Sequence, residues 1–419
     1  MHAGHGPTFD RRGFLAAAGL AWLAPAGRIL AAKAERSREP ARSLIVLWMG
    51  GGPSQLETFD PHPGTRIAGG TGAIVTAAKG LRLARGFEPL ADRMGSVALI
   101  RSVVSKEGDH ERGSYMLKTG YRPDPTVAHP SIGAIGCHEL PVSGVEIPRH
   151  VAILPGQWPG RGGFLGGAFD AFQAGDPSAP LPDAVARVPS SRDAARSADL
   201  AVVERSFARG RSALVDATGH RDAVARARTM MSSEQLKAFD VSQEPSSLRA
   251  AYGNTPFGRG CLAARRLVEV GVRCVEVSLN GWDAHVNNHE IHRNQVAILA
   301  PAFAALLGDL ADRGLLDRTV VLCGGEFGRT PKINLAGGRD HWPRGFSLAL
   351  AGGGIRGGLA VGATDPEGLK EPTSPTPVED VHATILTALG LDPAKENVDP
   401  ATGRPIKLSE GRPIRQLLS

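Results

Sequence analysis

Carboxylate and imidazole side chains stand side by side at several places in this chain. Asp283 and His285 are two apart in Asn280-Gly281-Trp282-Asp283-Ala284-His285, Asp340 precedes His341, Glu326 follows Gly324-Gly325, and Asp109-His110-Glu111-Arg112 makes a fourth group. Such sets offer oxygen and nitrogen donors without thiolate, which suits a divalent metal ion such as Zn²⁺, Mn²⁺, Fe or Ca²⁺. A cation held this way can stabilise both the attacking and the leaving oxygen when a phosphate or sulfate ester is hydrolysed. Asp283, His285, Asp340 and His341 are the expected metal ligands, and Glu326 is a further ligand or the general base. No single pair is specific, since Asp340-His341 could equally cap a helix; three groups behind three predicted strands argue for a site.

Other residues carry two readings each. Ser54, on Gly50-Gly51-Gly52-Pro53-Ser54, could be a nucleophile or could simply make the turn and cap a helix. His110 could ligate metal or bind an anionic ester, while Arg112 and Arg329 could clamp ester oxygens in a bidentate way or serve as plain salt-bridge partners. Trp282 and Trp342 flank the two acid–imidazole pairs; core packing is their default role and sugar stacking the alternative. Asp380 and His382 are expected to cap the last helix.

These residues need elements to position them. Short apolar, β-branched runs at Leu44–Met49, Val97–Ile100, Val151–Leu154, Val272–Leu279, Thr319–Cys323 and Ser347–Ala351 read as strands buried in a parallel sheet. Helical spacing marks Asn254–Gly271, Asn294–Arg313 and the stretch from Val378 to Gly390. Strand and helix in alternation predict an α/β fold, doubly wound, whose sites gather beyond the carboxyl ends of the strands. Residues 155–220, rich in Gly, Pro, Ala, Ser, Arg and Asp, are expected to form a surface insertion.

The 42% hydrophobic content is ordinary for a globular enzyme. Cys137, Cys261, Cys274 and Cys323 form no CxxC pair and read as small buried residues. The formal net charge of +6 is spread along the chain without a Lys/Arg block, so nucleic-acid binding is unsupported. Arg11-Arg12 directly before the apolar run Phe14–Gly27 reads as a twin-arginine export signal, with small residues near Ala31, Ala32 and Ala34 for cleavage. That run, about fourteen residues, is too short for a bilayer span, which takes roughly twenty. The expectation is a signal at 1–34, passage through the twin-arginine translocase after folding and cofactor loading, and a periplasmic or extracellular mature domain at 35–419.

A resemblance joins these pieces. Thr319–Arg329 resembles the strand and turn of sulfatases and alkaline-phosphatase-like enzymes, and His110 through Thr119-Gly120-Tyr121-Arg122-Pro123 resembles a sulfatase helix. With Gly51-Gly52-Pro53-Ser54-Gln55 to Phe59-Asp60-Pro61, Gly281-Trp282-Asp283-Ala284-His285, Gly338-Arg339-Asp340-His341-Trp342 and Val378-Glu379-Asp380-Val381-His382, the chain is similar to an exported, sulfatase-like family that carries a domain of unknown function within the alkaline phosphatase superfamily. The resemblance implies a three-layer α/β sandwich with a mostly parallel sheet and hydrolysis of a small-molecule or carbohydrate ester. Departures accompany it: the metal-binding Asp after the first strand is replaced by Gly50 or Gly51, the sulfatase nucleophile falls at His110 without its modification signal, and Glu326-Phe327 stands where Asp-His is usual. A non-catalytic binding protein that kept the fold and lost the nucleophile is the rival expectation.

Overall fold

The computed structural model describes residues 40–141, 144–211 and 219–419. The twin-arginine expectation therefore lies outside the described residues. Among the described residues nine strands form the central sheet: β1 Ser43–Gly50, β2 Val97–Val104, β3 His150–Ile153, β4 Phe172–Ala174, β5 Cys274–Asn280, β6 Thr319–Gly324, β7 Phe346–Gly352, β8 Leu359–Val361 and β9 Thr376–Pro377. Their order is β8-β2-β7-β6-β1-β5-β3-β4, with β9 beside β2. Within it β7 runs antiparallel to both neighbours and the other pairings are parallel. This is the α/β fold with a mostly parallel sheet that the apolar runs predict.

Period-two alternation makes β1 serve two cores at once. Ile45, Leu47 and Met49 enter one core with residues of Pro256–Glu269 and Asn288–Asp312, while Leu44, Val46 and Trp48 enter the other with residues of His110–Thr119 and Val378–Ala388. A strand buried on both faces reads as a continuous apolar run, which is why β1 is plain in the sequence. The helix Asn288–Asp312 is long and apolar enough, by length and composition, to cross a membrane. Here Val296, Leu299, Phe303, Leu306 and Leu310 are packed into the first core.

Two expectations change. The stretch 155–220 is more than a surface insertion, because Phe172–Ala174 pairs with β3 and extends the sheet. The same stretch carries a helix, Ser190–Ala208. Asp380 and His382 do not cap the last helix, which starts at Val378 with Pro377 at the N-cap position and no capping side chain. Asp380 instead accepts the Arg412 amide at 2.8 Å, and buried His382 donates from Nε2 to the Leu117 carbonyl at 2.8 Å. Gly120, at φ 75°, caps the helix that holds Leu117, and a Cβ there would lie 2.8 Å from His382 Cγ. Thr119-Gly120 thus marks the meeting of two helices.

Burial holds His382 neutral, with its pKa pushed down to about 4. The unfolded chain takes up this proton near pH 6.5, so stability should be lost as pH falls from there toward 4. Urea midpoints measured across that range should drop, and His382→Gln should flatten the drop; an unchanged slope in the variant would refute the assignment.

Candidate functional site

The carboxyl ends of β1, β5 and β6 deliver Gly51, Asp283 and Glu326 to one place. Gly51, at φ 117°, lets these turns touch: a Cβ there would lie 2.5 Å from the Asp283 amide nitrogen. The Gly51 amide donates to Glu326 Oε1 at 3.0 Å, and its carbonyl accepts from Arg329 Nη2. Arg329 is fully buried and spends its other donors on the Gly52 and Arg339 carbonyls, at 2.8 and 3.0 Å, and on Asp283 Oδ1 at 2.6 Å. One guanidinium therefore ties three loops together.

Around Asp283 the imidazoles converge through their Nε2 atoms. His285 and His341 stand 3.2 and 3.5 Å from Asp283 Oδ1 and 3.1 Å from each other, and His110 stands 3.4 Å from Oδ2. Suitable ligand atoms of His110, Asp283 and His341 all lie within 4.8 Å of one another. Each ring is fixed from behind through Nδ1: His110 on Glu326 Oε1 at 2.7 Å, His285 on Asp340 Oδ1 at 3.0 Å, His341 on the Gly108 carbonyl at 2.8 Å. With Nδ1 protonated, the His285 and His341 lone pairs face one another and a carboxylate, an arrangement that could hold a cation between them. Ligands placed tetrahedrally at zinc distances lie about 3.3 Å apart, close to these separations.

Charge follows the same plan. Burial works to raise Asp283, yet the Arg329 hydrogen bond and charge, with His110 and His285, hold its carboxyl below the usual range. The hydrogen bond to Glu326 raises His110 against the opposing pull of burial. Burial lowers His341. Asp340 is held low by its hydrogen bond to His285, with Asn334 Nδ2 donating to the same oxygen at 3.2 Å.

The residues singled out in the sequence are thus redistributed. The structure brings Asp283, His285 and His341 together, sets Asp340 behind His285, and places His110 at the front. Glu326, 1% exposed, has Oε1 occupied by His110 and Gly51. Ser54 is fully buried, its amide donating to His292 Nε2 at 2.8 Å, and it is not among the residues lining the cleft described below. Arg112 forks onto Glu107 at 2.7 and 3.1 Å and Arg329 is enclosed, so neither of the expected ester clamps lines that cleft. Trp282 is core, and Trp342 lies under the Arg344 guanidinium at 5.9 Å.

A cleft of about 290 Å³ opens on the cluster, lined by His110, Asp283, Glu326, Trp48, Lys118 and Trp158 among others. It shares Ser114, Lys118, Gly156, Gln157 and Trp158 with an adjoining cavity of about 370 Å³. Sequence reasoning missed Trp48, Lys118, Gln157 and Trp158. Trp48 near the end of β1 was open to the strand-end rule, whereas Gln157-Trp158 lay in a stretch read as insertion. Lys118 bonds Glu276 at 2.6 Å and sits 4.7 Å over the Trp48 ring. A larger cavity, about 870 Å³ and lined by Leu181, Phe239 and Val241 among others, contains none of these site residues.

Fold and site together define an α/β protein with a carboxylate–imidazole cluster at the carboxyl edge of its sheet. Residues 41–418 match the family described as "Protein of unknown function (DUF1501)", and the chain belongs to that family. No curated protein matches it. Among solved structures it is similar to the lipoteichoic acid synthase LtaP from Listeria monocytogenes, at 8% identity and TM-score 0.41, covering 88% of this chain and 74% of that one. It is also similar to the PsFucS1 sulfatase from Pseudoalteromonas sp., at 12% identity and TM-score 0.38 over 87% and 70% of the two chains. The alkaline phosphatase from the Antarctic bacterium TAB5 matches at 11% identity and TM-score 0.37, over 84% and 99%.

Replacing Arg329 by Lys should destabilise the protein by about 3 kcal/mol or more, since one ammonium cannot satisfy acceptors on three loops and leaves buried groups unpaired. Urea unfolding of the metal-free protein checks this; a change within about 0.5 kcal/mol, the scale of an ordinary surface substitution, would refute the clamp.

Proposed function

We propose that this chain is an exported, metal-dependent hydrolase of phosphate or sulfate esters. The observation that carries the reading is the meeting of the His285 and His341 Nε2 atoms at 3.1 Å beside Asp283, with both rings held from behind. Asp283, His285 and His341 would hold one divalent cation; three protein ligands with an open position is the pattern of a catalytic site. A cation there would supply Lewis acidity toward an ester oxygen and neutralise charge as the ester is cleaved.

The chain's own groups do the rest. Arg329 keeps Asp283 ionised and aimed. Asp340 and the Gly108 carbonyl hold the rings of His285 and His341 in the tautomer that frees Nε2. Glu326 orients His110, so its part is positioning in place of the ligand or base role expected from sequence. Trp48, Gln157, Trp158 and Lys118 line the space for the organic part of a small-molecule or carbohydrate ester.

A second reading, the binding protein without turnover, draws on the same geometry. If His110 completes a four-ligand set, the site is closed, as structural zinc sites are. Metal content together with turnover separates the two.

Mature protein isolated without chelator should carry about one divalent ion per chain, with Zn²⁺, Mn²⁺ and Ca²⁺ as the ions to test. Asp283→Ala and His341→Ala should abolish retention through desalting, while Asp340→Asn should weaken affinity about 10- to 100-fold. Elemental analysis and metal titration check this, and full occupancy in both alanine variants would count against the site. Metal-dependent release of nitrophenol from 4-nitrophenyl phosphate or sulfate tests the enzyme reading directly. For export, Arg11→Lys with Arg12→Lys should leave uncleaved precursor in the cytoplasm, because the translocase reads the arginine pair as an address; normal processing of the double variant would refute that assignment.

A further inference from the structure

Resting on the hydrolase reading, we propose that His110 Nε2 is the nucleophile, so that a phosphate ester is cleaved through a covalent phosphohistidine on this chain. Three imidazoles meet at Asp283, but they differ in what they face. His110 lines the cleft with Asp283, Lys118, Trp48 and Trp158, whereas His285 and His341 are absent from its lining. His110 thus lines the space a substrate would fill, with its Nε2 3.4 Å from Asp283 Oδ2.

Its ring is prepared for attack at one atom. Glu326 Oε1 already accepts from the Gly51 amide, so it accepts from His110 Nδ1 as well, and the lone pair is left on Nε2. Glu326 is buried, which keeps water from competing for that hydrogen bond. Phe327 and His341 flank the ring, with centroids at 5.1 and 4.5 Å, and restrict its rotation. A histidine can itself form the covalent intermediate, and a carboxylate accepting from Nδ1 holds Nε2 as the attacking atom. The hydroxyl rivals are placed differently: Ser54 is buried outside the cleft, and Ser114, which lines it, has no hydrogen-bonded base to take its proton.

In the first step the Nε2 lone pair forms an N–P bond as the P–O bond to the leaving alcohol breaks, and the departing alkoxide takes a proton from solvent. In the second, water forms an O–P bond as the N–P bond breaks. Nε2 recovers its electron pair, the proton from water goes to solvent, and inorganic phosphate leaves. An imidazole–phosphorus bond is a phosphoramidate, which water cleaves near neutral pH. The covalent species is an N–P adduct, so the substrate class is a phosphate ester.

The test uses the full mature chain loaded with zinc and 4-nitrophenyl phosphate as probe. A stoichiometric burst of nitrophenol is expected, and alkaline quenching should trap one added phosphoryl group, acid-labile and alkali-stable, on the peptide containing His110. His110→Ala should lose the burst and the adduct, with turnover down roughly 10²-fold or more, while retaining zinc and a normal unfolding midpoint. Glu326→Gln should slow the burst and leave zinc content unchanged. Turnover without burst or adduct, an adduct on Ser114, faster turnover of 4-nitrophenyl sulfate than of the phosphate, or loss of zinc from His110→Ala as complete as from Asp283→Ala would each overturn the nucleophile and leave the hydrolase reading standing. Absence of zinc-dependent turnover on either ester would overturn both.

Discussion

A guanidinium buried without exposure to water must find acceptors within the protein, and Arg329 finds them on three separate loops. Stripping such a group of water costs several kcal/mol unless its donors are matched. That demand fixes the turn after β1, the loop that bears Arg339 to His341, and the Asp283 carboxylate relative to one another. The position of Asp283 then sets where His285, His341 and His110 can meet. Loops at a sheet edge are ordinarily the mobile part of an α/β protein; here one charged group ties three of them together.

Glycine makes the clamp possible. Gly51 and Gly52 turn at φ 117° and 70°, and a Cβ at Gly52 would lie 2.4 Å from the Phe327 ring. Backbone and the Phe327 ring thus leave no room for side chains at Gly51 and Gly52.

The strands were legible in the sequence because a strand buried on both faces is a continuous apolar run, and β1, β5 and β6 end abruptly in glycine or Asn. Asp283, His285 and His341 were legible for the same reason, as polar residues following such runs. Three things were not. Asp340 and His341 are neighbours in the chain, and only the short antiparallel pairing of Gly328–Arg329 with His341–Trp342 decides which faces inward. Likewise His110 and Arg112 both begin a helix, yet the Asp109 side chain caps it through the Glu111 and Arg112 amides, the Arg112 guanidinium turns to Glu107, and His110 is left facing the cleft. Spacing along a chain does not say which end of a side chain meets which partner when loops from distant strands are involved. Lys118 was hidden for a different reason: its charge is absorbed by Glu276, with His150 3.3 Å from the other carboxylate oxygen, inside a helix that otherwise reads as core.

The proposed cation, held by imidazole nitrogens of His285 and His341 with Asp283, can be read by X-ray absorption spectroscopy of the zinc-loaded protein. The expected first shell is nitrogen and oxygen at about 2.0–2.1 Å, without sulfur, with outer-shell scattering from imidazole rings that weakens in His341→Ala. A shell of oxygen alone, or imidazole scattering unchanged by that substitution, would contradict it.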